Sequence, residues 1–172
     1  MEIKDHHWKE IRRLFRSAFK TSLHYSLATV NSDGSPHITP IGSVVLRDDK
    51  TGFYCEGFPR NIPTNLQSNP RVCVMAVNAG KRFWFMSLFR GRFDSPPGVR
   101  LIGRAGEKRK GTDQELTQWQ KRIRPLKKLK GYDLLWKDLN YVRDLYFDGF
   151  EPIHAGLMTK GLWRSGCSYK TQ

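Results

Sequence analysis

Cysteine, acidic residues and long apolar runs are all scarce in this chain. Its 172 residues include three cysteines, Cys55, Cys73 and Cys167. Three widely spaced thiols give neither an even disulfide set nor a zinc-ligand pattern, which points to a reducing, cytoplasmic setting. No apolar run approaches the roughly 20 residues of a membrane span, and the first residues read as a charged helix rather than a signal peptide. No membrane association is expected. Asp and Glu total 16 against 30 Lys and Arg, for a net charge of +14. That imbalance predicts an anionic partner (phosphate, nucleic acid or anionic lipid) or a solvated basic face, and says nothing about fold. Catalytic signatures are missing as well. The chain has no Gly-x-Ser-x-Gly elbow, no Rossmann glycine fingerprint and no Walker loop. Any difficult chemistry would therefore fall to a bound cofactor. Repeats and low-complexity linkers are absent too, so residues 1–172 are read as one domain.

What is present supports a packed core: 38% hydrophobic residues, with five Trp and ten Phe. Residues 5–19 predict an amphipathic helix with Asp5 near its N-cap. Trp8, Ile11, Phe15, Ala18 and Phe19 share one face; Lys9, Arg12, Arg13, Arg16 and Lys20 lie largely on the other. The expected fate of that apolar stripe is docking on the protein body. His6 and His7 have no acidic or Cys partner at ligand spacing and are read as solvated. Residues 25–31 and 37–46 are apolar and β-branched, and Asp33-Gly34 between them predicts an antiparallel hairpin. A second turn at 48–52 leads into Phe53-Tyr54-Cys55. A short helix over 63–67 follows, ended by Asn69-Pro70, and then a strand over 72–77.

The aromatic and basic stretch 80–98 closes in Pro-Pro-Gly. It reads as an insertion or extended hairpin, either an extra strand pair at an edge or dimer surface, or an aromatic wall beside a planar ligand. Residues 99–109 predict a strand with a basic polar face. Thr112 followed by Glu115 is a capping box, opening a helix with Leu116, Trp119 and Ile123 on one side and a stop or kink at Pro125. A second short helix contains Leu134, Leu135 and Trp136. A late strand spans 141–147, and Asp148-Gly149 suggests another hairpin turn.

Three sequence words, taken in order, resemble the pyridoxamine 5'-phosphate oxidase-like FMN-binding split-barrel superfamily. They are Leu27-Ala28-Thr29-Val30 with Asp33-Gly34-Ser35-Pro36, then Gly52-Phe53-Tyr54, then Asn65-Leu66-Gln67-Ser68-Asn69-Pro70-Arg71-Val72; residues 99–105 continue the likeness. The resemblance implies a mainly β fold with flanking helices (α+β), a six-stranded antiparallel split β-barrel. The stretch 80–98 would be an insertion, and a helical segment would cover about 112–138. It implies a homodimer with FMN at the interface, transferring hydride or electrons to a small-molecule substrate.

Carried over by position, the flavin contacts fall on Gly42, Ser43, Val44, Val45, Leu46 and Arg47, on Tyr54 and Cys55, and on Arg60 and Asn61. Trp84 and Trp163 are aromatic candidates for the ring pocket or dimer interface. Cys55 replaces the usual Thr and Asn61 the usual Lys; a one-residue shift of register would put Ile62 at the Lys position. Gly98 stands where the oxidases have Gln, and residues 161–172 lack their C-terminal Arg and His motif. These departures argue against pyridoxamine phosphate oxidation itself more than against FMN binding. A split barrel that holds haem, F420 or no cofactor is the variant reading. A nucleic-acid-binding module built on the basic region 100–130 is the alternative of a different class. His37 and His154 are read as structural.

Overall fold

The computed structural model describes residues 1–57, 60–136 and 139–163. Its order of elements follows turn chemistry and apolar periodicity. Strand β1 (Tyr25–Val30) pairs antiparallel with β2 (Pro36–Ile41), with Leu27 opposite Thr39. The connecting turn uses Gly34 at φ +82°, and the Asp33 carboxylate accepts hydrogen bonds from the backbone and hydroxyl of Ser35. This is the predicted hairpin. Its second arm is shorter than expected, because the 37–46 run divides at Gly42-Ser43. Val45–Leu46 becomes a separate strand, β3.

After β3 come β4 (Thr51–Cys55), α2 (Asn61–Ser68), β5 (Arg71–Val77) and α3 (Lys81–Arg90). The chain continues through β6 (Gly98–Lys110), α4 (Asp113–Ile123), α5 (Gly131–Trp136) and β7 (Tyr141–Pro152). The N-terminal helix α1 spans Asp5–Ser22.

Among the described residues seven strands form one antiparallel sheet in the order β2-β1-β5-β6-β7-β4-β3, one more than expected because of the split at Gly42. The two edge strands, β2 and β3, are joined by only Gly42–Val44. Four residue steps span at most about 14 Å. A flat sheet would hold its outer strands roughly 29 Å apart. The sheet must therefore curl until its edges approach, while no ladder closes β2 onto β3. That is a split barrel.

Inside the curl lies the main core, which includes Leu27, Val44, Tyr54, Val74, Leu101 and Phe150. Helix α1 plugs it with Trp8, Ile11, Leu14, Phe15 and Ala18, as its stripe predicts. The indole of Trp8 donates to the carbonyl of Arg47 at 2.8 Å.

Two expectations need correction. The 80–98 stretch holds a helix, α3, and not a strand pair. Trp84 donates its indole N–H to the Asn78 carbonyl at 2.7 Å, and Phe93 packs against both Phe83 and Trp84. Helical spacing puts these anchors on one side and leaves Phe85, Leu88 and Phe89 exposed on another. Nor is Asp148-Gly149 a hairpin turn. The pairing of β7 with β6 runs past it to Pro152, and the register slips between Ile102–Gly149 and Gly103–Phe147. The extra residue is absorbed as a β-bulge. Met1 seals the bulge: its carbonyl accepts from the Phe150 amide and its amine donates to the Phe150 carbonyl, each at 3.0 Å.

Helix α4 begins at the expected Thr112–Glu115 capping box and gives way after Ile123 to a 3-10 turn at Arg124–Leu126, as Pro125 requires. The α4–α5 segment covers the outer face of β3, β4 and β7. Trp119 and Ile123 bury Val45, Phe53, Cys55 and Val142 there as a second core. No helix among the described residues is long and apolar enough to cross a membrane.

Candidate functional site

Strand alternation sorts the candidate residues. In β4, Tyr54 points into the barrel while Phe53 and Cys55 face the α4–α5 cover; Val44 and Val45 part in the same way. The Ser43 hydroxyl donates to the Cys55 carbonyl and accepts from the Cys55 amide, both at 3.1 Å. It thereby pins the edge linker to β4. Gly42, Ser43 and Cys55 meet at one cavity of about 260 Å³, walled by Thr39, Trp119 and Trp136. A Cβ at residue 42 would lie 3.2 Å from the Leu23 carbonyl and 3.8 Å from the Trp119 ring, so glycine keeps this wall open.

Two groups around this cavity bear on its chemistry. Burial pushes the Cys55 thiol up to about 12, so it stays protonated at neutral pH and is no nucleophile. The buried indole N–H of Trp119 has no hydrogen-bond partner among the described residues. That nitrogen is shut off from solvent, so Trp119 contributes an apolar ring face to the cavity and not a donor. The cavity offers two aromatic walls, Trp119 and Trp136, beside the edge linker, a shape suited to a planar heteroaromatic ring.

Tyr54 serves a different group. Its hydroxyl donates to Glu56 at 3.2 Å inside the barrel, and Glu56 is paired with Arg143 and lies 3.6 Å from the Lys108 ammonium. Burial first, and then the Glu56 charge, drive the phenol well above its ordinary range.

Arg47 is engaged on all sides. It donates to Thr51 Oγ1 at 3.1 Å, to the Gly52 carbonyl at 3.0 Å, to Glu115 at 2.5 Å and to Asp144 at 2.7 Å. Arg109 completes the network with forked bonds to the same two carboxylates. Hydrogen bonds from Arg109, more than any other cause, hold both acids well below the usual carboxylate range. A phosphate at Arg47 would have to compete with two carboxylates already in place. Sequence reading found Glu115 only as a helix cap and missed Asp144 entirely, since nothing local links positions 47, 109 and 144.

Arg60 and Asn61 stand exposed at the start of α2. That helix has no acidic residue in its first turn and no side-chain cap. Its first amides and the Arg60 charge make this end receptive to an anion. Ile62 is fully buried and packs into the main core. At most about 17 Å of chain separates Arg60 from Cys55. Trp84 sits apart from this group on α3. Trp163 stacks edge-on against Phe150 at 5.2 Å. His37 pairs with the Thr39 hydroxyl at 2.9 Å, and His154 is exposed. Cys167 and the rest of the terminal stretch from 164 lie outside the described residues.

The family model described as pyridoxamine 5'-phosphate oxidase matches residues 11–146, which takes in the whole edge linker, β4 and α2. The chain belongs to the pyridoxamine 5'-phosphate oxidase family. Solved structures agree on the fold. HupZ of Group A Streptococcus is 19% identical, with 86% of this chain and 98% of that one covered and a TM-score of 0.54. An FMN-binding protein from Syntrophomonas wolfei is 14% identical over 86% of this chain and 88% of that one, at a TM-score of 0.58. A protein from Clostridium acetobutylicum related to general stress protein 26, of the pyridoxinephosphate oxidase family, is 15% identical over the same shares, at 0.55. No curated protein sequence matches this one significantly. Members of the pyridoxamine 5'-phosphate oxidase family share the strand framework seen here; at these identities the likeness extends to fold alone.

Proposed function

We propose that this protein binds FMN and acts as an oxidoreductase, passing hydride or electrons to a small-molecule substrate. The observation that carries this reading is the meeting of Gly42, Ser43 and Cys55 around a single cavity with Trp119 and Trp136 as aromatic walls. The same residue types were expected to touch a flavin, and the family framework supports the assignment. Ser43, Cys55 and Trp119 would seat the ring, and Arg60 and Asn61 at the α2 N-terminus would hold the phosphate by charge-assisted hydrogen bonds. FMN when bound supplies the two-electron chemistry; the chain supplies position and exclusion of water. Arg47, committed to Glu115 and Asp144, braces α4 over the site.

The proposed assembly is a homodimer, with the exposed Phe85, Leu88 and Phe89 stripe of α3 as contact surface. Its proposed location is the cytoplasm, in keeping with the free thiols of Cys55 and Cys73.

A visible spectrum taken after adding FMN and desalting tests the reading. Retained flavin absorbance is expected, with markedly weaker retention in Trp136→Ala, which removes one aromatic wall of the cavity. A colourless protein after desalting would overturn FMN binding.

A further inference from the structure

A second cavity, larger than the one between Gly42 and Cys55, lies elsewhere among the described residues. It measures about 460 Å³ and lies between α1, the β3–β4 turn and α4. A volume of that size is typical of a small-ligand site. Five cations line it: Arg12, Arg16, Arg47, Lys121 and Arg122, against a single lining carboxylate, Asp48.

Their partners divide them. Arg12 pairs with Asp48, and Arg47 is neutralised by Glu115 and Asp144. Arg16, Lys121 and Arg122 form no ion pair among the described residues, although all three border the same space. Arg122 is the telling member. Its guanidinium lies over the Phe19 ring at 4.6 Å and donates to the Val44 carbonyl at 2.5 Å. Arg122 is partly buried and has a carbonyl and an aromatic face beside it but no carboxylate among the described residues, so its charge is left without a counterion. An anion entering the cavity would repair it. Phe15, Val45 and Leu46 supply an apolar floor, and Gln114 and Gln118 stand one helical turn apart on α4 as neutral donors.

We infer that this cavity is a binding site for a small organic phosphate of nucleotide size. Its phosphate groups lie against Arg16, Lys121 and Arg122, and its apolar or aromatic body lies on Phe15, Val45 and Leu46. The site is separate from the Gly42–Cys55 cavity. Helix α4 stands between the two, presenting Trp119 to one and Lys121 and Arg122 to the other.

Isothermal titration of ADP and of inorganic pyrophosphate into the full chain tests this. ADP should bind, at least about threefold more tightly than pyrophosphate because only it reaches the apolar floor, and more weakly as salt rises. Arg16→Gln combined with Lys121→Gln should weaken ADP binding by about tenfold or more through loss of two charge-assisted contacts. Both side chains are exposed and glutamine is a comparable helix former, so the variant should melt with the parent protein. Arg60→Ala should leave ADP affinity unchanged, which separates this site from the proposed flavin phosphate grip. Absence of ADP binding would overturn the inference. So would unchanged affinity in the double variant, equal loss in Arg60→Ala, or pyrophosphate binding as tightly as ADP.

Discussion

Arg47 and Glu115, 68 residues apart in sequence, meet at 2.5 Å between guanidinium and carboxylate. This pair ties the β3–β4 turn to the first turn of α4. Asp144 on β7 and Arg109 on β6 close a four-membered network around it. The helical cover over the Gly42–Cys55 cavity is thus anchored by charge at its N-terminal end and by Trp119 and Ile123 along its length.

Removing one carboxylate should expose how much the anchor contributes. Glu115→Gln leaves two guanidinium groups sharing only Asp144 and weakens the Thr112 cap. A loss of about 2 kcal/mol at neutral pH is expected from urea unfolding, the cost of disrupting charged, partly buried hydrogen bonds.

The same network sets the acid response. Glu115 and Asp144 have folded pKa values depressed below their ordinary 4.5 and 3.8, so their stabilisation is present in full above about pH 5. It fades as pH falls through the ordinary values toward the folded ones. Urea midpoints measured from pH 6 to pH 2.5 should drop steadily in the parent protein and less steeply in Glu115→Gln. Equal slopes would remove the network as the acid-sensitive element.

Leu23 ends α1 with φ +60° and is 61% exposed. A left-handed conformation costs a branched L-residue roughly 1–2 kcal/mol, and glycine escapes that cost at the expense of unfolded-state entropy. Leu23→Gly should therefore raise stability by about 0.5–1 kcal/mol, read as a higher melting temperature.

Gly103 behaves in the opposite way. A Cβ there would lie 2.0 Å from the Tyr146 carbonyl oxygen, within the β-bulge that joins β6 to β7. Backbone cannot give way as a flexible side chain can. Gly103→Ala should cost about 3 kcal/mol or more, or prevent accumulation of folded protein.

The proposed phosphate grip and the proposed dimer surface have separate readouts. Arg60→Glu should weaken FMN binding by about tenfold or more in a fluorescence titration while leaving the melting temperature within a degree or two, since Arg60 is exposed. Phe89→Asp, placed where 80% of the residue faces solvent, should shift a dimer to a monomer in light scattering. A parent protein already monomeric would reject that surface.

Much of the fold was legible in the chain because its signals are local. Asp33-Gly34 predicts the first hairpin, Thr112 with Glu115 predicts the start of α4, and the 3.6-residue spacing of Trp8, Ile11, Phe15 and Ala18 predicts the docked face of α1. The 80–98 stretch misled because aromatic residues suit strands and helices alike. Its helix is chosen by the Trp84–Asn78 hydrogen bond and by Phe93, which folds back from beyond the helix. Asp148-Gly149 looks like a turn wherever it occurs; here ten pairings with β6 hold the strand extended through it.

The sequence by itself determined the class of fold, the order of the strands along the chain and the family, because turn residues, caps and periodicity act over a few positions. Only the tertiary structure decided which of the candidate residues share a space. Ser43 and Cys55 became neighbours across one cavity, Tyr54 turned inward to Glu56, and Arg47 was claimed by Glu115 and Asp144. Each outcome depends on side chains from β3, β4, β6, β7 and α4 arriving together. Charge pairing and burial act through space, and nothing in a linear string states which distant partner will be nearest.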